Sequence, residues 1–202
     1  MIPADVLARF EETTGFMPTE EGEALHAVAR GARAGTWLEI GTYCGKSTVL
    51  LADAARQVGA RLVTVDHHHG SEENQPGWEW HDESLVDADS GRLDTLPHFR
   101  RVLDENADVL SAIVADTRLV ATWWTTPLEL LFLDGNHTEE TAQQDYTQFA
   151  RHLVPEGLLL VHDVFPDPAD GGQAPWNVVR RAVAEGFEQI AVHGSLRVLR
   201  RS

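Results

Sequence analysis

Glu39 is the carboxylate whose setting says most about the chemistry of this chain. In Thr36-Trp-Leu-Glu-Ile-Gly-Thr-Tyr-Cys-Gly-Lys-Ser-Thr48 an apolar run carries it into a turn punctuated by Gly41 and Gly45. A helical pattern, Thr48-Val-Leu-Leu-Ala-Asp-Ala-Ala55, begins at once. Strand, glycine turn and helix make a nucleotide cradle, because glycines let the backbone approach a ligand and the helix N-terminus offers free N–H groups. Gly45-Lys46-Ser47-Thr48 invites a P-loop reading. A P-loop, however, holds four residues between its first glycine and the Gly-Lys pair, and three separate Gly41 from Gly45. A loop wrapping polyphosphate gains nothing from Glu39, whereas a ligand with ammonium and hydroxyl groups does. The pattern points to S-adenosylmethionine rather than ATP.

Other acids and histidines close later apolar runs. Asp66 ends Leu62-Val-Thr-Val65, 27 residues after Glu39. Doubly wound folds place an acid there that accepts from ribose hydroxyls; a surface aspartate capping the next segment is the alternative. Asp134 and Asp163 end two further runs. If those runs are adjacent strands, their ends meet, and two carboxylates suit a hard cation such as Mg²⁺. His162 as a third ligand shifts the preference toward Mn²⁺, Co²⁺ or Zn²⁺. A metal-free site in which both aspartates only orient substrate fits the same residues. His137, one turn beyond Asp134, is a candidate general base for an acceptor hydroxyl, and reads equally as part of a helix N-terminus before Thr138-Glu139-Glu140. The adjacent His67, His68 and His69 cannot converge three rings on one ion without an unusual backbone. His67 is expected to pack near the cofactor and His69 to face solvent or a lid.

The elements that must position these residues alternate. Residues 1–35 read as helical, with Thr19 as an N-cap before Glu20-Glu21. Strands are expected at Thr36–Ile40, Arg61–Val65, Ala112–Ala115, Leu128–Leu133, Gly157–Val161, Glu188–Val192 and Leu196–Leu199. Helical patterns between the first five imply a doubly wound, mostly parallel α/β sheet of seven strands in one domain, with the last strand antiparallel. Residues 67–95, containing Trp78 and Trp80, and residues 165–176 follow strands, so both belong at the carboxyl edge of the sheet, where ligands bind. They are expected to wall an acceptor pocket, with Trp78 and Trp80 as substrate contacts; a disordered insertion is the alternative for either. Trp123 and Trp124 read equally as buried anchors or as a binding surface.

Leu38-Glu-Ile-Gly-Thr-Tyr-Cys-Gly-Lys-Ser47 resembles the first motif of class I S-adenosylmethionine-dependent methyltransferases in its E-x-G-x-x-x-G form. Val65-Asp66, Ala115-Asp116, Leu133-Asp-Gly-Asn-His137 and Val161-His-Asp163 come after it in the family's order. The series is similar to small bacterial O-methyltransferases with a metal-assisted site. His67-His-His-Gly-Ser-Glu-Glu73 and His162-Asp-Val-Phe-Pro-Asp-Pro168 resemble an actinobacterial branch that includes a sugar O-methyltransferase of methylmannose polysaccharide synthesis. The resemblance implies a Rossmann-like fold and a cofactor cradle of Glu39, Gly41, Thr42, Gly45, Ser47, Asp66 and His67, with Asp116 holding the adenine amino group. It also implies Mg²⁺ or Mn²⁺ on Asp134, His162 and Asp163. His162 is a departure, since those families commonly carry an acid there or place Asn after the Asp.

Composition narrows the partners. A formal charge of −16 with a single lysine, Lys46, disfavours nucleic acid and anionic lipid. The single cysteine, Cys44, excludes an intramolecular disulfide and a cysteine-based zinc site. No apolar run reaches membrane-spanning length, and Met1-Ile-Pro-Ala-Asp5 lacks the basic start of a signal peptide, so a cytoplasmic location is expected. An antiparallel edge near residues 188–200 suits a homodimer. Two functions remain: methyl transfer to a hydroxyl of a small acceptor, a sugar first and a phenol second, or a non-catalytic module that binds S-adenosylmethionine. The second has no need of Asp134, His137 and Asp163 together.

Overall fold

The computed structural model describes residues 1–78 and 80–202. Helices α1 (Ala4–Glu12) and α2 (Thr19–Arg30) lead into β1 (Thr36–Ile40), α3 (Lys46–Val58) and β2 (Arg61–Asp66). After the first long connection come α4 (Leu96–Glu105), β3 (Leu110–Val114), α5 (Thr117–Ala121), β4 (Leu128–Leu133) and α6 (Glu139–Phe149). The chain ends with β5 (Leu153–Val161), α7 (Ala174–Ala184), β6 (Phe187–His193) and β7 (Leu196–Arg201). The strands form one sheet in the order β3-β2-β1-β4-β5-β7-β6. β1 to β5 pair in parallel, and β7 runs antiparallel to both of its neighbours. No helix among the described residues is long and apolar enough to cross a membrane.

Burial on both faces explains why the central strands are apolar almost throughout. Trp37, Leu130 and Phe132 face a core built with Phe10, Leu25, Leu50 and Phe99 of the first four helices. Leu38, Ile40, Leu131 and Leu133 face the other core, with Tyr146, Phe149 and Val178. Phe132 is wholly buried, so truncation to alanine costs about 3–5 kcal/mol.

Connections from β1 and β4 leave toward opposite neighbours, which opens a crevice between their carboxyl ends, the usual ligand position in such sheets. Gly41 stands at its floor with φ +86°, and a Cβ there would collide with the Asp134 carbonyl. Only glycine satisfies both the left-handed backbone and the close crossing.

Several expected boundaries move. Pro18 precedes α2 in an extended conformation, and Thr19 is the first helical residue with no capping bond from its side chain. β3 spans Leu110–Val114, because Asp116 is the N-cap of α5 and its carboxylate accepts from the Arg118 N–H. β5 starts at Leu153 rather than Gly157; Glu156 at φ +66° and a register shift opposite Leu128/Leu130 make that start irregular, so Pro155-Glu156-Gly157 reads as a turn in sequence. The described residues of 67–95 form a folded segment. A Ser71/Asn74 capping box pins its first 3₁₀ turn, Glu72–Asn74, the Asp82 side chain caps the second, Glu83–Leu85, by accepting the Ser84 N–H, and Leu85 and Leu93 are buried against Cys44. Trp176 belongs to α7 and packs on the second core, not on a loop. Trp124 is buried and Trp123 exposed.

Candidate active site

The glycine turn is held from both sides by carboxylates. Asp66 Oδ2 accepts the backbone N–H groups of Thr42 and Tyr43 at 2.7 and 2.8 Å, and Oδ1 accepts that of His68 at 2.7 Å. Glu39 lies beneath the turn at 0% exposure, accepting Ser47 Oγ–H at 2.6 Å and Thr48 Oγ1–H at 2.7 Å. Burial without a cationic partner pushes its carboxyl up to about 8, although the two hydroxyls oppose that rise. Tyr43, His68 and Asp163 adopt φ of +50°, +62° and +53°. Left-handed non-glycine residues are costly and collect at functional sites.

Lys46 Nζ donates to the carbonyls of Phe10 and Thr13 at 2.8 and 3.1 Å and sits 4.4 Å from the centre of the Phe10 ring. The lysine thereby ties the Thr14–Met17 segment to α3, where that segment walls a cleft of about 810 Å³. Thr42, Ser47, Asp66 and His67 line the same cleft, as do Asp134, His137, His162 and Asp163. An adjoining 630 Å³ cleft contains Asp66, His67, Asp116 and Asp145.

The acids of β4 and β5 meet as their strand ends require. His162 Nδ1 lies 3.0 Å from Asp134 Oδ1 and 3.4 Å from Asp163 Oδ1. One ligand atom from each of Asp134, His162 and Asp163 lies within 4.8 Å of the other two, so the three residues could hold a divalent metal in place of the His162–Asp134 hydrogen bond. His162 Nε2–H donates to Glu21 Oε2 at 2.7 Å, and this second carboxylate fixes the tautomer that leaves Nδ1 for a metal. Glu21 is itself held by the Ser195 N–H and hydroxyl at 2.6 and 2.8 Å. Without a cation, burial disfavours charge on His162, but Asp134, Asp163 and Glu21 outweigh it and hold the ring protonated well above the usual histidine range.

His137 bridges the two long loops. Its Nδ1 lies 2.9 Å from Glu73 Oε1, and its Nε2 faces Asp163 Oδ2 at 3.4 Å without a hydrogen bond. Burial lowers its pKa and the neighbouring carboxylates raise it, for a net rise above 6.5. Glu73, His137 and Asp163 also line a larger cleft of about 1760 Å³, shared with Phe16, Trp80 and Phe165. Phe16 stacks edge-on to Trp80 at 5.1 Å and tilts over Tyr43 at 5.4 Å. The first cleft and this larger one share His137 and Asp163.

Against expectation, Glu39 and Gly45 lie off the walls and act on the turn's shape: Gly45 caps α3 at φ +95° with Phe99 and Val102 crowding its missing Cβ. Both oxygens of Asp116 are taken by the Arg118 guanidinium, which pulls its carboxyl down to about 2. Trp80 walls the larger cleft, whereas Trp78 is 55% exposed and lines none of these clefts. His68 stacks on Phe99 at 5.1 Å and does not join the Asp134, His162 and Asp163 group, and His69 is exposed. Phe16, Glu21 and Glu73 were not legible as site residues. No local pattern marks them; tertiary contacts alone bring them in.

A family model described as a methyltransferase domain matches residues 38–164. Among solved structures, cofactor-bound Rv0187 from MTB is 20% identical with a TM-score of 0.64, over 98% of this chain and 88% of that one. The O-methyltransferase TomG from Streptomyces achromogenes, involved in tomaymycin synthesis and solved with SAM, is 20% identical with a TM-score of 0.60, over 98% and 87%. An O-methyltransferase from Bacillus cereus, solved with SAH, is 15% identical with a TM-score of 0.62, over 100% and 93%. These likenesses show a shared fold.

Proposed function

The chain belongs to the methyltransferase-domain family, and we propose that it transfers a methyl group from S-adenosylmethionine to a hydroxyl of a small acceptor, a sugar or oligosaccharide. One observation carries this reading: the cradle cleft and the aromatic-walled cleft share Glu73, His137 and Asp163, so donor and acceptor would meet beside a histidine whose Nε2 makes no hydrogen bond among the described residues. TomG and the Bacillus cereus protein, described as O-methyltransferases with SAM and SAH, support the donor and the hydroxyl acceptor. Phe16, Trp80 and Phe165 beside Glu73, Asp163 and Asp170 suit a ring with apolar faces and many hydroxyls.

In this reading Thr42, Ser47, Asp66 and His67 bind the donor, with Glu39 and Gly45 shaping the turn. Glu73 accepts the Nδ1–H of His137, which leaves the Nε2 lone pair for the acceptor proton. As the acceptor oxygen bonds to the methyl carbon, the carbon–sulfur bond breaks, its electron pair stays on sulfur, and the hydroxyl proton passes to Nε2. Asp134, His162 and Asp163 would hold a divalent cation, Mg²⁺ or Mn²⁺, which when bound lowers the pKa of a hydroxyl it touches. The clefts' main contribution is alignment, since the sulfonium already supplies a reactive carbon.

Two measurements test the proposal. Calorimetric titration should show S-adenosylmethionine and S-adenosylhomocysteine binding and ATP not binding. Incubation with methyl-labelled donor should label sugars or short oligosaccharides, more with Mg²⁺ or Mn²⁺ than with EDTA. Micromolar ATP binding with no heat from the donor refutes the cofactor, and label on phenols alone refutes the sugar.

A further inference from the structure

Resting on the role just proposed for Asp163, the geometry points to Arg197 of β7 as the residue that positions its carboxylate, by clamping the chain on its C-terminal side. Asp163 adopts φ +53°, and a left-handed aspartate persists only where its surroundings over-determine it. Those surroundings are the main-chain contacts of its two neighbours. The His162 N–H donates to the Leu133 carbonyl of β4 at 3.1 Å, and the Val164 N–H donates to the Ser195 carbonyl at 3.0 Å. The Val164 carbonyl accepts from Arg197 Nη2 at 3.2 Å. Pinned on both sides, Asp163 turns its carboxylate between two histidines, with oxygens 3.4 Å from His162 Nδ1 and 3.4 Å from His137 Nε2. Relaxation to an extended or helical backbone would swing it away from both.

Arg197 is placed for a clamp rather than for an ion pair. It is 6% exposed and stands opposite Val161 in the β5–β7 ladder. Among the described residues its side-chain hydrogen bonds all go to main-chain carbonyls. Nη1 donates to Gly194 at 2.7 Å and to Leu196 at 3.3 Å, so one guanidinium joins the β6–β7 turn to the chain leaving β5. Burial pushes its pKa below the usual arginine range, and the charge of Glu21 opposes that. Burying a charge that no carboxylate pairs is costly. Three carbonyls from two segments call for a planar fork of donors, which arginine has and lysine lacks. The same turn carries Ser195, whose N–H and hydroxyl hold Glu21 and, through it, His162.

Two readouts test the clamp. Arg197→Met keeps the stem and removes the donors. Mn²⁺ binding, read by electron paramagnetic resonance, should weaken by about 10–100-fold, the scale for groups that orient a metal ligand. S-adenosylhomocysteine affinity should stay as it is, because Arg197 does not line the donor cleft. Arg197→Lys, with one nitrogen in place of the fork, should fall between the two. A lower melting temperature with unchanged Mn²⁺ affinity would make Arg197 merely structural and overturn the proposal. The second readout is the backbone itself. Asp163→Gly and Asp163→Ala both lose the carboxylate, but only glycine takes a left-handed φ freely. With Arg197 in place the glycine variant should melt roughly 2–4 °C above the alanine variant. Adding Arg197→Met should close that gap, because the freed chain lets alanine relax. A gap that persists in Arg197→Met, or that is absent with Arg197 present, overturns the clamp. If Arg197→Met does not fold, Arg197→Lys decides: a narrowed gap with weaker Mn²⁺ binding supports the clamp, and values equal to the unaltered protein's refute it. An unaltered protein that binds no Mn²⁺ would overturn the metal reading of Asp163, and the melting comparison then decides on Arg197 by itself.

Discussion

Replacing Glu39 by glutamine should make the protein less sensitive to alkaline pH. Glu39 is wholly buried and receives two hydroxyl hydrogen bonds but no cationic partner. Its carboxyl titrates near 8 in the folded protein against an ordinary value of 4.5. Because the folded value is the higher one, the folded state holds a proton that the unfolded state has released. The resulting stability is fully present below pH 4.5 and is lost as pH rises through 8. Each pH unit in that window removes about 1.4 kcal/mol, about 5 kcal/mol across the whole of it. Between pH 6 and 8 the loss is about 2 kcal/mol, because the slope halves as pH reaches the folded value, and it lowers the melting temperature of a chain this size by roughly 4–9 °C. Glutamine keeps the shape, accepts from one hydroxyl and donates to the other, and never ionises. Melting curves of both proteins from pH 5 to 9 isolate the residue, because other titrations cancel in the difference. The two curves should converge near pH 5, and Glu39→Gln should be the more stable above pH 8. Parallel curves over the whole range would show that Glu39 is already ionised in the fold, and the reasoning from burial would be wrong.

His137→Ala should lower turnover by about a hundredfold or more with donor affinity nearly unchanged, as rapid-quench and calorimetric measurements can separate. His137 works as a base only when neutral, and its pKa is raised from the usual 6.5 by Glu73 and Asp163; turnover should therefore climb at a higher pH than an ordinary histidine would give, and Glu73→Gln should move that climb to lower pH while reducing the plateau. Asp134→Ala or Asp163→Ala should remove Mn²⁺ binding seen by electron paramagnetic resonance, and Glu21→Gln should weaken it by about 10–100-fold through His162. Trp80→Ala should raise the acceptor Michaelis constant by about three- to tenfold, the worth of an aromatic contact, and Trp78→Ala should leave it unchanged.

Local sequence determined the scaffold of this protein. Period and punctuation fixed β1, the turn at Gly41 and Gly45, and the near-continuous β4, because a parallel strand covered on both faces has to be apolar throughout. They also put Asp66, Asp134 and Asp163 at the carboxyl edge, since strand direction alone decides which end of a run carries the site. Terminal details failed where backbone geometry overrides composition, as at Thr19 beside Pro18 and at the left-handed Glu156 within the first residues of β5.

What only the tertiary structure decided is which groups are spoken for. In sequence Glu39, Asp116 and Asp145 are three carboxylates of equal standing. Folding gives the first to Ser47 and Thr48 and the second to Arg118, and leaves an oxygen of the third buried without a partner. Glu21 reaches His162 across 141 positions and Glu73 reaches His137 from a separate loop. Such pairings have no period and no spacing, because side chains far apart in the chain meet only after the sheet order has been set.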